Sequence, residues 1–331
     1  MYQEKAFNYK WGYILLFLFF LLFIYGDLVP AALITEFMPS LLDMNTIFLS
    51  IVLEAIPFVL LGVFISALIQ SFVKEETLER FIPSNPVLAL FPAVAIGAVF
   101  PVCECAIVPI VRRLIQKGMP LHVGIVIMVS APVLNPIVFL STFYAFQTDL
   151  TVAWARMGLA FVVAIVVGAV VYARFKNNWQ LKEAKGSRLH SDEHHHRNKI
   201  AETFYHASDE FFEMGKFLII GALLASVIQT FMDRELLVGV GSGFFTGPAV
   251  MMGLAYFLSL CSEADAFVAS SFNGLFSSSS ILGFLVYGPM TDLKNTILMA
   301  AYFKKRFVVA FVAIVTITAY FITILFDLLY L

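Results

Sequence analysis

The sequence has few charged residues, and this scarcity excludes most classes of soluble protein. Asp, Glu, Lys and Arg make up 13% of the 331 residues, whereas about 25% is typical of a soluble domain. The 21 Lys and Arg against 23 Asp and Glu also lack the basic excess typical of nucleic-acid binding. Hydrophobic residues make up 60% of the chain, which includes 35 Phe. This composition predicts an all-α polytopic membrane protein.

Cysteine is scarce as well, and the chain lacks a nucleotide-binding loop. Three Cys in a chain of this length do not form a disulfide framework. The sequence has no G-x-x-x-x-G-K-[ST] pattern, whose backbone amides hold nucleotide phosphates. We therefore expect no ATP hydrolysis by this chain, no enzyme activity and no cofactor.

Long apolar runs predict seven membrane-spanning helices. About 20 mostly apolar residues are needed to cross the hydrocarbon core. Two further apolar segments, 86–117 and 244–276, are interrupted near their middles by polar residues, and each arm is too short to cross. The sequence favours a re-entrant helical hairpin in each segment, with a pair of short full spans as the alternative. The seven predicted spans are residues 11–33, 47–73, 121–146, 152–175, 209–232, 278–303 and 306–330.

Basic residues predict the sidedness of the chain in the membrane. Most of the 21 Lys and Arg lie in clusters beside the spans, and such clusters are enriched on the cytoplasmic side. With both hairpins re-entrant, this places the N-terminus in the cytoplasm and the C-terminus outside the cell. The polar linker 176–208 then lies in the cytoplasm. Its His194, His195 and His196 suit a metal-sensing loop, although a solvated connection is the simpler interpretation.

The two halves of the chain resemble each other, which predicts an internal repeat. Each copy would contain three crossings, an odd number, so the second copy is inverted, as in secondary transporters. The predicted order is an N-terminal transmembrane helix with its connection (1–45), a first repeat (46–175), the polar loop (176–208) and a second repeat (209–331). The matched pairs, at nearly constant separation, are Gly62 and Gly221, Cys103 and Cys261, Pro132 and Pro289, and Asn135 and Asp292.

The interruptions of the two hairpins carry every Cys of the chain together with carboxylates. Carboxylates within membrane spans are costly and mark substrate or ion pathways, while thiolates select soft ions such as Zn(II), Cu(I) and trivalent metalloids. For any single Cys, a small buried apolar residue is an equally good interpretation. The predicted substrate-binding residues are Cys103, Glu104 and Cys105 at the first tip and Cys261, Glu263 and Asp265 at the second. The predicted metal ligands are Cys103, Cys105, Cys261, Glu104 and Glu263.

Proline interrupts the span that follows each hairpin. Pro132 lies in the first of these spans and Pro289 in the second, and a proline frees the carbonyl four residues before it. Asn135 and Asp292 follow the two prolines, so we predict that all four residues border the substrate pathway. Lys294 either pairs with Asp292 or extends to the membrane surface.

The motif FPVCECAIVPIVRRL, followed by SAPVLNPIVF, resembles the YraQ/YcgR-type bacterial permeases, which are related to the organoarsenical efflux permeases. The resemblance implies a multi-spanning plasma-membrane permease. In arsenic-exporting members, the cysteines matching Cys103 and Cys105 bind trivalent organoarsenicals. Some members are encoded beside a second small membrane protein, which implies a two-component permease. Glu104, Glu263 and Asp265 depart from a plain arsenic exporter and leave divalent-metal or proton-coupled transport open.

The sequence thus predicts a secondary transporter that moves a small thiophilic solute through a midplane site between the two tips. The solute would be a metal ion, a trivalent metalloid or an organoarsenical, so that any bound soft metal is substrate. The predicted partners are the lipid bilayer, this solute and a second membrane protein, with no nucleic acid. One alternative is a subunit of a two-component membrane complex with a scaffolding or cell-envelope role and no transport by itself. A thiol–disulfide enzyme is disfavoured, because one residue rather than two separates Cys103 from Cys105.

Overall fold

The computed structural model describes residues 31–72, 83, 85–99, 103–146, 150–175, 180–182, 199–231 and 243–330. Within these ranges the chain is helical, apart from turns and two isolated β-bridges. The chain forms two compact units, Met1–Thr46 and Ile47–Leu331. The helices are α1 (Ala31–Phe72), α2 (Leu90–Val99), α3 (Glu104–Gln116), α4 (Leu121–Ser130), α5 (Pro136–Ala145), α6 (Leu150–Phe175), α7 (Lys199–Phe231), α8 (Thr246–Leu258), α9 (Ser262–Ser270), α10 (Ser278–Met290), α11 (Leu293–Tyr302) and α12 (Lys305–Tyr330).

Four of the described helices contain a segment long and apolar enough to cross a membrane. These segments are Pro39–Ile69, Leu150–Phe175, Met214–Phe231 and Lys305–Leu329, and they correspond to four of the predicted spans. The prediction of an all-α, multi-pass membrane protein is confirmed at this level. Most of the predicted span 11–33 and the histidines at 194–196 lie outside the described residues.

Two of the predicted spans, 121–146 and 278–303, are each divided into two short helices, close to the proline interruptions predicted for them. The first consists of α4 and α5, with turns over residues 131–135. The second consists of α10 and α11, with a break at Thr291 and Asp292. Pro289 still lies inside α10, because a proline removes one hydrogen bond of the preceding turn without ending the helix at its own position.

The two interrupted apolar segments are each a pair of short helices. α2 and α3 have 10 and 13 residues, and α8 and α9 have 13 and 9 residues. At 1.5 Å per residue, each of these four helices is about 20 Å long or less, short of the roughly 30 Å of the hydrocarbon core. None of the four can therefore cross a membrane alone.

The same neighbour relations occur in residues 90–175 and in residues 246–330. α4 packs against α2, α3 and α6, and α10 packs against α8, α9 and α12. α5 packs against α6, and α11 packs against α12. Across the two stretches, α3 contacts α11, α9 contacts α5, and α6 contacts α12. Residues at the starts of α3, α9 and α11, which take part in these contacts, are buried: Glu104, Ser262 and Lys294.

Candidate functional site

A cysteine occupies the N-cap position of the second helix in each interrupted pair. Cys103 precedes α3 and Cys261 precedes α9, both with extended backbone, and neither side chain caps its helix. Ser259, at the end of α8, has a φ of 49°, a left-handed conformation that is uncommon outside glycine. The turn between α8 and α9 is therefore sharp, and the cysteine side chains stay available for other partners.

The three cysteines are free thiols, and two of them lie together. Cys103 and Cys105 are separated only by Glu104 at the start of α3 and interact electrostatically with each other. The Cys261 thiol donates to Glu263 Oε2 at 2.6 Å, and Cys261 also interacts electrostatically with Glu104. The first tip thus presents a dithiol, and the second presents a thiol paired with a carboxylate.

Lys294 joins the first tip to the break between α10 and α11. Its Nζ lies 3.2 Å from Glu104 Oε1 and 3.6 Å from Asp292 Oδ2, and all three side chains are buried. Of the two alternatives for Lys294, pairing with Asp292 is confirmed and extension to the membrane surface is wrong. Glu104 is the additional partner, because α3 and α11 pack together at their starts.

Asp265 is the buried carboxylate of the second tip. It is 1% exposed and interacts electrostatically with Arg156, Lys294 and Asp292. Its Oδ2 has no hydrogen-bond partner among the described residues. A Cβ atom at Gly288 would lie 3.1 Å from this oxygen, so the glycine lets α10 approach the carboxylate closely.

Arg156 is a central residue that the sequence analysis missed. It is fully buried in α6 and donates three hydrogen bonds: from Nε to Leu285 O at 3.1 Å, from Nη1 to Thr142 Oγ1 at 2.7 Å, and from Nη2 to Ser262 O at 3.1 Å. The Leu285 carbonyl is the one that Pro289 leaves without its helical donor. An arginine within a 26-residue apolar helix is itself a signal of function and could have identified it.

The two polar residues at the helix breaks are both N-caps. Asn135 Oδ1 accepts from Val138 N at 2.9 Å, and Asp292 Oδ1 accepts from Asn295 N at 2.6 Å. Each satisfies one of the free amides at a helix start. Asp292 adds an ion pair to this role, whereas Asn135 donates to Ala131 O at 3.1 Å.

We call Glu104, Asp265, Asp292, Lys294 and Arg156 the charged centre. It holds three carboxylates against two cations, and a buried charge is costly unless it is paired or neutralised. The centre therefore favours one further positive charge, either a proton or a cationic group of a ligand.

The predicted site residues are brought together only in part. Glu104 interacts electrostatically with Cys105, Asp265 and Asp292, which places these four in one region. Pro132 is buried in the turns between α4 and α5, and Pro289 is buried inside α10, just before the break. Among the described residues, no group of three or more His, Cys, Asp or Glu is arranged to hold a metal ion, so the five predicted metal ligands do not form a closed metal site in this conformation.

The fold and the site define a multi-pass membrane protein with a charged interior, as in transporters. The chain belongs to the ArsP_1 family of predicted permeases, which matches residues 40–328. UPF0718 protein YcgR of Bacillus subtilis (strain 168) is 47% identical over 269 residues, covering 81% of this chain and 92% of that protein. A Streptococcus mutans protein, named as a subunit of a two-component membrane permease complex, is 36% identical over 276 residues, covering 82% and 91%. No solved structure matches this chain. The predicted relationship to YcgR-type permeases is confirmed.

Proposed function

We propose that this permease is a secondary transporter that moves a small thiophilic solute through the charged centre. The observation that carries the proposal is the pair of free thiols, Cys103 and Cys105, on either side of Glu104. The Glu104 carboxylate is buried and forms an ion pair with Lys294. Soft thiol ligands favour Zn(II), Cu(I) and trivalent metalloids. A buried ion pair offers a way to couple the charge of a solute to the state of the protein.

In this proposal the dithiol binds the solute first, and Cys261 supplies a third thiol. Cys261 is now hydrogen-bonded to Glu263, so an approach of the two tips would exchange that bond for a bond to the solute. Glu104, Glu263 and Asp265 would compensate charge or carry a proton. Pro132, Asn135, Pro289 and Asp292 would border the pathway.

An inverted repeat with two re-entrant hairpins is the architecture that we propose for this movement. The shared neighbour relations of residues 90–175 and 246–330 support it. The matched N-caps Cys103 and Cys261, and Asn135 and Asp292, support it as well. One repeat would rock against the other around the charged centre, as described for other inverted-repeat transporters.

Transport by the purified chain in liposomes tests the proposal. We expect uptake or release of a thiophilic compound, with Zn(II), Cu(I), mercury(II) and trivalent arsenicals as the first probes. The Cys103→Ser/Cys105→Ser variant should lose this transport, while Ser270→Cys, which adds a thiol outside the site, should not alter it. Native transport by the double variant would contradict the role of the thiols.

The second candidate function is a subunit of a two-component membrane complex, with a scaffolding or cell-envelope role. The Streptococcus mutans relative, named as a subunit of such a complex, is the observation that favours it. Co-purification from the native membrane, followed by liposome assays with and without the partner, separates the two functions. Transport by the chain alone supports the first. Transport that needs the partner supports a two-component permease, and a stable complex without transport supports scaffolding.

A further inference from the structure

An open apolar pocket of about 470 Å³ lies between α8, α10 and α12. Its volume is within the range of small-molecule sites, which are mostly apolar with a few placed polar groups. Residues spaced three and four apart share a helix face, so α8 and α12 each present a continuous face to the pocket. The lining residues are Ala249, Met252, Gly253 and Tyr256 of α8, Tyr287 of α10, and Val312, Thr316, Ile317, Tyr320 and Phe321 of α12.

The mouth of the pocket lies beside the middle of a candidate membrane span. α12 contains the candidate span Lys305–Leu329, and Ile317 is at its midpoint. Ile317 and Phe321, at the mouth, are 56% and 64% exposed, whereas Met252 is 2% exposed. With α12 spanning the bilayer, the pocket would open at mid-membrane depth, where lipid chains rather than water surround the protein.

The floor of the pocket adjoins the charged centre. Tyr256 interacts electrostatically with Asp292. The Thr296 hydroxyl donates to the Asp292 carbonyl at 2.7 Å. Tyr287, also in the lining, is hydrogen-bonded to Thr316 at 2.8 Å. Gly288 follows Tyr287 in α10, and a Cβ atom added to it would lie 3.1 Å from Asp265 Oδ2. The lining of the pocket therefore adjoins a buried carboxylate of the charged centre.

We propose that this pocket is a lateral entrance, through which an uncharged, hydrocarbon-soluble solute passes from the bilayer to the charged centre. The inference rests on the proposed transport function, and it narrows the solute to one with an aromatic or short aliphatic group. An apolar lining stabilises such a group by roughly 1.5–3 kcal/mol per large apolar side chain buried. A bare metal ion would lose its hydration there at great cost.

The experiment fills the pocket at Gly253 and leaves the charged centre unchanged. A Cβ atom at Gly253 meets nothing within 4 Å, and the same holds for Gly158 on α6, outside the pocket. Gly253→Phe is the test variant and Gly158→Phe is the matched control. Purified proteins in liposomes are assayed for transport of phenylmercury and of mercury(II), two thiophilic probes that differ in their apolar group.

We expect Gly253→Phe to reduce phenylmercury transport by about tenfold or more, the loss associated with one buried aromatic group. Mercury(II) transport, if the protein supports it, should change much less, and Gly158→Phe should transport both probes like the wild type. Equal rates of phenylmercury transport in Gly253→Phe and the wild type would contradict the proposal that the pocket is a lateral entrance. The proposed transport function would not be affected by that result.

A binding measurement gives a result that does not depend on transport. An uncharged phenyl diazirine, photolysed in the liposomes, should label Met252 or Tyr256 in the wild type and in Gly158→Phe, but not in Gly253→Phe. Absence of this label in the wild type would overturn the inference. Labelling together with undiminished transport in Gly253→Phe would identify a lipid-chain site instead of an entrance. Labelling without transport of any thiophilic compound would contradict the proposed function, while the pocket would still bind aryl groups.

Discussion

At the scale of single residues, Lys294 is the cation on which two buried carboxylates depend. It lies 3.2 Å from Glu104 and 3.6 Å from Asp292, and the three side chains are at most 7% exposed. Removing one partner of a buried ion pair leaves an uncompensated charge, which costs roughly 3–5 kcal/mol. Loss of Lys294 alone is therefore expected to be destabilising, whether or not the intact ion pairs add net stability to the fold.

We predict that Lys294→Met lowers the thermal stability of the purified protein, because it leaves Glu104 and Asp292 together without their cation. The double variant Lys294→Met/Glu104→Gln should recover a large part of the loss, since it removes one of the two stranded charges. Thermal unfolding in detergent measures both effects. Lys305→Met, at an exposed position, is the control. A double variant no more stable than Lys294→Met would show that the pair is not coupled.

At the scale of helices, Arg156 and Pro289 form one structural unit. The proline removes the amide that would bond the Leu285 carbonyl, and Arg156 Nε supplies a donor in its place at 3.1 Å. The same guanidinium binds α5 through Thr142 and α9 through Ser262. Arg156 thus fixes the second tip relative to three other helices, which makes it a positioning residue for the candidate site.

We predict that Arg156→Met destabilises the protein less when residue 289 can donate a hydrogen bond. In the Pro289→Ala background, the new amide satisfies Leu285, so the effect of Arg156→Met should shrink by about 1 kcal/mol, the net value of one hydrogen bond. A double-mutant cycle by denaturant unfolding in micelles measures this coupling. Pro248→Ala, in the first turn of α8 where the proline blocks no intrahelical bond, is the control background. An equal effect of Arg156→Met in the Pro289→Ala and Pro248→Ala backgrounds would contradict the proposed link between Arg156 and Pro289.

The sequence was informative about helices and breaks, and less so about charge partners. Apolar length predicted the long helices, polar residues predicted the interruptions at Cys103 and Cys261, and proline predicted the breaks near Pro132 and Pro289, because these features act within a few residues of the chain. The partnership of Glu104 with Lys294 depends on the packing of α3 against α11, which no local pattern encodes. Arg156 could have been identified as a candidate, because an arginine within an apolar helix is a local signal, but its three acceptors come from three other helices and could not be predicted.

At the scale of the whole molecule, the proposed inverted repeat requires an odd number of membrane crossings in the second half of the chain. In the second half, α7 and α12 each contain a candidate span, and α10 with α11 would make a third crossing. With α8 and α9 re-entrant, the polar loop 176–208 and the C-terminus must lie on opposite sides of the membrane. The clustering of Lys and Arg predicts that the loop is cytoplasmic.

Labelling of single cysteines in intact cells tests whether the polar loop and the C-terminus lie on opposite sides of the membrane. In a variant with Cys103, Cys105 and Cys261 replaced by Ser, we predict that a membrane-impermeant maleimide labels Leu329→Cys from outside. Ser191→Cys, in the polar loop, should react only after permeabilisation. Labelling of both positions from the same side would mean that the second half contains an even number of crossings. The two halves would then have the same orientation, and neither an inverted repeat nor a rocking movement between opposed tips would be possible.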